Sequence, residues 1–272
     1  MNSVPHGGAA AEGTVPPRFR RPGIGAWLLL IVVLAFLVHG YASGVAVYPA
    51  TILEGVEPAI EFASDALPPD LSRAAPIAIA LVETFEIALL GTLIGVVASV
   101  PLAIMGARNT TPGRLVHLAS RALIALFRTI PDLVWGLIFV VTVGLGPQAG
   151  VLAIAADVTG FCGRFFADSV EDVDQGLIDG LSATGASSAG IVAGAVVPSV
   201  LPSWVGTTMF SLEQATRSSV VLGIVGAGGI GVELTTSMQL LRYDEALAII
   251  LSIFVVVLGV ERVAAAVRRR LG

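Results

Sequence analysis

Long apolar runs alternate with short polar interruptions along the chain, and the runs lack the spacing that would leave one helical face to water. Residues 24–40, 77–105, 115–145, 151–166, 204–230 and 246–267 are each near the roughly 20 residues that an α-helix needs to cross hydrocarbon, so the pattern predicts six membrane spans. The fourth run is the shortest and contains Asp157 and Arg164, charges that are costly in lipid and usually face a cavity or a partner. The first 23 residues are rich in Gly, Ala and Pro, include Arg18, Arg20 and Arg21, and bury too little surface to order themselves. The run that follows reads as an uncleaved first span, because Ala42-Ser43-Gly44 is a weak cleavage site.

Arginine placement gives the expected orientation, since short cytoplasmic loops collect Arg. With the N-terminus inside, the N-terminal arginines, Arg108 and Arg114, and then Arg268, Arg269 and Arg270 all fall on the cytoplasmic side, leaving only Arg73 and Arg242 outside. Glu54, Glu57, Glu61, Asp65 and Asp70 then lie on an external segment. The expected organisation is a cytoplasmic tail at 1–23, a first transmembrane helix with an external loop at 24–76, and a core membrane domain at 77–272, with both termini cytoplasmic at the cell (inner) membrane.

Composition narrows the chemistry. The chain is 55% hydrophobic and 13% charged, against about 25% charged residues in soluble domains. All fifteen basic residues are Arg, so a P-loop lysine and a Schiff-base amine are both absent, and any ATP that drives this protein binds another chain. The single cysteine, Cys162, and the scattered His6, His39 and His117 exclude a disulfide framework and a Cys/His zinc site within one chain. A net charge of -5 offers no general attraction to nucleic acid. Two other classes remain as alternatives. An intramembrane enzyme is disfavoured because there is no H-E-x-x-H and the buried acids are not clustered in pairs; a stand-alone secondary carrier is disfavoured because the spans show no inverted repeat.

Several motifs have both a structural and a functional reading. Gly226-Ala-Gly228-Gly229-Ile-Gly231 matches a dinucleotide-binding pattern, but it ends an apolar run rather than following a strand, so Gly226, Gly228 and Gly229 more plausibly let backbones approach or a helix bend near a pathway. Gly91 and Gly95 line one helical face and permit close packing, either within the chain or between two copies. Arg128 and Asp132 are four apart, as are Glu213 and Arg217, so each pair meets on one face of a continuous helix and is either self-neutralised or turned to a pathway. Pro131 bends the third span beside these charges and suggests a gate, whereas Pro101 reads as a simple kink.

Residues 171–202, between the fourth and fifth spans, are too polar at their start for lipid and should face the cytoplasm. Leu177, Ile178 and Leu181 form an apolar strip on a short helix that brings Asp174 and Asp179 but no Arg, a pattern suited to a groove with basic lining. A helix lying on the headgroups is the competing reading, and it would favour basic residues.

Asp179-Gly-Leu-Ser-Ala-Thr-Gly185, followed by Val196-Val-Pro198 and Val200-Leu-Pro202, resembles the cytoplasmic signature of ABC importer permeases, with Asp179, Gly180 and Ser182 departing from the usual Glu, Ala and basic residue. Arg128-Thr-Ile-Pro-Asp-Leu-Val-Trp135 and Val221-Leu-Gly-Ile-Val-Gly-Ala-Gly-Gly-Ile-Gly231 resemble phosphonate transport permeases in particular. This resemblance implies an all-α membrane protein of the ABC importer type I permease fold, with about six transmembrane helices and a cytoplasmic coupling helix. It implies that Asp174, Leu177, Ile178, Asp179, Leu181, Thr184 and Gly185 engage an ATPase subunit dimer that holds ATP and Mg, so that this chain is no enzyme and needs no cofactor of its own. It further implies a second copy of the permease, an extracytoplasmic solute-binding protein and surrounding membrane lipid as partners. The imported solute would be a small phosphorus oxyanion, phosphonate first, with phosphate or phosphite as the alternative. Arg128, Pro131, Asp132, Glu213, Arg217, Gly226, Gly228 and Gly229 would line the path or its gate, where guanidinium geometry matches phosphoryl oxygens.

Overall fold

In hydrocarbon every backbone N–H and C=O needs a partner within the protein, and the chain meets that demand with helices alone among the described residues. The computed structural model describes residues 23–44 and 49–271, so nearly all of the expected tail lies outside the described residues. The chain divides into two units, Met1–Glu61 and Phe62–Gly272.

The first unit holds α1 (Ile24–Ala42) and α2 (Pro49–Glu54), and α3 (Val56–Asp65) begins in it. Helix α1 is apolar all round and none of its residues is buried in protein, the pattern of a helix whose solvent is lipid. In the second unit come α4 (Ala74–Gly106), α5 (Arg114–Thr129), α6 (Asp132–Val143) and α7 (Pro147–Glu171). After them come α8 (Gln175–Ala183), α9 (Ser188–Ile191), α10 (Val197–Ile224), α11 (Ile230–Gln239) and α12 (Tyr243–Leu271), with the π-helical turn Val192–Val196 joining α9 to α10.

Five helices are long and apolar enough to cross a membrane, and α5 with α6 forms a sixth candidate bent by 92°. Five of the six expected spans are therefore matched by a long apolar helix and the third by the bent pair, with two differences. The third is broken rather than bent, and the fifth is one run of helix from Ser188 to Ile224 rather than from residue 204 to residue 230. Pro198 comes just after the π turn, where the widened ladder makes room for a residue without an N–H, and Pro202 lies inside α10. The stretch without a long helix between α7 and α9 is thus residues 172–187.

Helix α7 is the centre of the core. Small residues on it, among them Ala149, Ala153, Gly160 and Gly163, let α4, α5 and α10 pack at close range. A Cβ on Gly91 would stand 2.7 Å from Ile154 Cβ, and one on Gly95 would stand 2.7 Å from Val158 Cβ, so this pair serves a contact inside the chain. Antiparallel α5 crosses α7 where a Cβ on Gly160 would stand 2.6 Å from the Arg128 backbone nitrogen. Phe166 of α7 stacks on Trp204 of α10 at 4.6 Å between centroids.

Candidate coupling face and translocation path

Helix α8 is capped at both ends by its own sequence. The Asp174 carboxylate accepts from Gly176 N at 3.0 Å, the Thr184 hydroxyl donates to Leu181 O at 2.7 Å, and Gly185 leaves the helix at φ +80, a conformation that suits glycine. Gln175 donates to Asp179 at 3.1 Å, fixing one carboxylate on the outer surface. The apolar strip is divided: Ile178 is buried in the chain's own core and Leu181 is half-buried, whereas Leu177 is 41% exposed. A cavity of about 400 Å³ lies beside α8, between Ser169, Asp172, Leu177, Ser199 and Ser203.

The end of α7 that leads into α8 is tied to two other elements through Arg121, a residue that the sequence reading did not single out. Its Nε donates to Gly106 O at 2.7 Å, Nη1 to Asp168 at 3.0 Å, and Nη2 pairs with Glu171 at 2.9 Å. Arg164 pairs with Asp168 at 2.8 Å, Arg108 N donates to Glu171 at 2.9 Å, and Asn109 donates to Val170 O at 2.6 Å. A signal was available: Arg114, Arg121 and Arg128 recur every seventh residue and form one stripe along α5.

At the corner of the broken span, Arg128 and Asp132 do not pair, contrary to the four-residue spacing. Ile130 and Pro131 are extended, so Arg128 ends one helix while Asp132 opens another, and among the described residues the two form no ion pair. The Asp132 carboxylate accepts from Leu133 N at 2.8 Å at the positive end of α6. Pro131 contributes its carbonyl, which accepts from Val134 N at 2.9 Å and Trp135 N at 3.1 Å. Across the corner, Trp135 Nε1 donates to Phe127 O at 3.3 Å and its ring lies against Phe127 and Phe139. Arg128 remains exposed.

Glu213 and Arg217 do pair, at 3.0 Å, because α10 is continuous there. Glu213 is buried, and Arg268 of α12 approaches its other oxygen at 3.6 Å, a third member that no local spacing reveals.

Gly226, Gly228 and Gly229 form a turn between α10 and α11, with φ of +87, +84 and +77. Helix α4 holds this turn: Gly229 N donates to Glu83 at 3.0 Å and Ile230 N to the Thr84 hydroxyl at 2.7 Å. Gly146 N, just before α7, donates to Gly226 O at 2.9 Å. A cavity of about 390 Å³ opens here, lined by Ala80, Glu83, Leu145, Pro147, Val232 and Glu233. Nearby, Arg73 pairs with Glu233 at 3.0 Å and Glu245 at 3.4 Å, and Arg242 pairs with Glu245 at 3.3 Å. The two arginines expected outside are therefore neutralised, and the Glu233 carboxylate, with Glu245, raises the Arg73 pKa above its usual value. No group of three or more His, Cys, Asp or Glu residues is arranged to hold a metal ion among the described residues.

Long apolar helices packed on α7, a bent helix pair, and an exposed capped helix between α7 and α9 define an all-α integral membrane protein. Residues 99–272 match the family described as binding-protein-dependent transport system inner membrane component, and the chain belongs to that family. It is 40% identical over 221 residues to the phosphate-import permease protein PhnE of Mycolicibacterium smegmatis, covering 81% of this chain and 42% of that relative's length. It is 37% identical over 219 residues to the phosphite transport system permease protein PtxC of Stutzerimonas stutzeri, covering 80% of each. Among solved structures, the inward-facing MetNI methionine ABC transporter aligns with a TM-score of 0.62 at 21% identity, covering 72% of this chain and 96% of that one. An amino acid ABC transporter aligns at 0.61 and 19% identity, covering 74% and 96%. The fold is that of ABC importer type I permeases, and the chain is a transport subunit rather than an enzyme.

Proposed function

We propose that this chain is the membrane permease subunit of an ATP-driven importer for a small phosphorus oxyanion, with phosphonate, phosphate and phosphite as the candidates. The observation that carries the reading is the 37% identity over 80% of both chains to a phosphite permease, joined by relatives named for phosphate import and phosphonate transport. In this reading two copies enclose the path and both termini are cytoplasmic. An ATPase dimer holding ATP and Mg grips α8, and a solute-binding protein delivers the anion from outside. The exposed Leu177 and the surface carboxylate of Asp179 suit a groove with apolar and basic lining. Arg128, exposed at the corner, and Arg217, with 42% of its side chain exposed, supply guanidinium groups to oxyanions, while Asp132 and Glu213 prevent tight retention.

The test is reconstitution of the full chain with its ATPase and solute-binding protein in proteoliposomes. ATP-dependent uptake of at least one of the three oxyanions is expected, with none for methionine. Gly185→Trp, placed at a positive φ next to α8, is expected to abolish uptake while membrane insertion persists. Absence of uptake for all three oxyanions, or normal uptake by the Gly185 variant, overturns the reading.

A further inference from the structure

We propose that Arg121 is a positioning residue that transmits the movement of α8 to the corner of the broken span, an inference that rests on the permease reading above. Three residues join α7 to α8, and they are not slack: Asp172 N donates to Asp168 O, Val173 N to Val170 O, and Asp174 caps α8. A displacement of α8 therefore arrives at the last turn of α7, where Asp168 and Glu171 sit. Arg121 joins both carboxylates to α5, and its Nε simultaneously takes the Gly106 carbonyl at the end of α4. A guanidinium presents five donors in a fixed plane, so one side chain can hold three elements in a single geometry.

The far end of α5 is fastened differently. The bare backbone of Gly160 admits Phe127 and Arg128 against α7, and Ile124 lies over Gly163. Helix α5 is thus held to α7 by charge near α8 and by backbone contact about 10 Å further on, at seven residues of 1.5 Å rise each. With both fastenings in place, α5 and α7 move as one body and carry Arg128, Pro131 and Asp132 with them. Without Arg121, slippage at the end that receives the push is resisted by apolar packing and by the hydrogen bonds of Arg108 N and Asn109, which belong to the loop before α5 and not to α5 itself. The cluster is not a spare anion site, because Arg121 and Arg164 balance Asp168 and Glu171.

Two measurements test the role. In the reconstituted complex, Arg121→Ala is expected to lower oxyanion uptake about tenfold while ATP hydrolysis stays within about twofold, so the ratio of solute moved to ATP hydrolysed falls. Arg121→Lys, which keeps a cation between the two carboxylates, is expected to recover most of that ratio. Equal loss of uptake and hydrolysis, or a wild-type ratio in the alanine variant, overturns the proposal. In lipid nanodiscs without partners, amide exchange of the full chain is expected to quicken about tenfold at 107–113 and 171–175 in Arg121→Ala, as hydrogen bonds to charged groups are lost, while 225–230 is unchanged. Unchanged exchange in the first two segments overturns the clamp regardless of transport. Quickened exchange in a chain whose wild-type complex moves no oxyanion upholds the clamp and sinks the permease reading instead.

Discussion

Three glycines in one turn carry positive φ, and at Gly229 the space is as restrictive as the angle. A Cβ there would lie 2.7 Å from the Thr84 hydroxyl, the acceptor that satisfies Ile230 N. Gly229→Ala therefore combines an alanine at φ 77 and ψ -171, a region essentially reserved for glycine and costing about 1–3 kcal/mol, with displacement of a buried hydrogen bond worth about 1 kcal/mol net. Gly259 is the matched control: it lies inside α12, has nothing within 4 Å of its would-be Cβ, and has no positive φ. Alanine there is expected to stabilise by about 0.5–1 kcal/mol through helix propensity. Thermal unfolding of the detergent-purified chain should rank Gly259→Ala above wild type and Gly229→Ala below it. The reverse order would show that α4 does not hold this turn.

At the scale of elements, α7 organises its neighbours through missing side chains. The contact at Gly160 is with backbone atoms of α5, which cannot rotate aside as a side-chain tip would. Gly160→Ala is expected to push α5 off α7 and to destabilise the chain by about 1–3 kcal/mol, the range for overpacking. Gly163→Ala meets only the Ile124 side chain, at 3.1 Å, and is expected to cost less. Equal melting temperatures for the two variants would contradict a backbone-limited crossing. The corner between α5 and α6 illustrates a limit of local spacing: Arg128 and Asp132 were expected on one face, but the extended Ile130 and Pro131 place them on separate helices.

Across the whole molecule, and apart from the Glu213, Arg217 and Arg268 cluster between α10 and α12, charge among the described residues collects in two interhelical junctions. One joins α4, α5 and α7 beside α8. The other joins the start of α4 to α11 and α12 through Arg73, Glu233, Glu245 and Arg242. In the second, Arg73 bonds carboxylates from two helices, whereas Arg242 is 52% exposed and pairs only with its neighbour three residues on. Arg73→Ala is expected to lower the unfolding temperature more than Arg242→Ala does, because it removes the partner of carboxylates on two helices rather than one. Both losses should shrink in high salt when unfolding is followed by heating. A larger loss at Arg242 would mean that the junction is not centred on Arg73.

The sequence by itself determined that this chain is helical and membrane-embedded, with apolar runs of span length at six places and a short helix with an apolar strip between the fourth and fifth. Each of these depends on residues close in sequence: apolar runs of bilayer length, and the spacing of Leu177, Ile178 and Leu181 on one strip. Only the tertiary structure decided that Gly91 and Gly95 pack inside the chain, that Glu83 and Thr84 hold the glycine turn, that Arg268 joins Glu213, and that Arg121 gathers Asp168, Glu171 and Gly106. Those partners lie between 15 and 146 residues apart, and hydrophobic periodicity is silent about which faces meet. They follow from how closely α4 and α5 can approach α7, which is set by side-chain volume at the crossings.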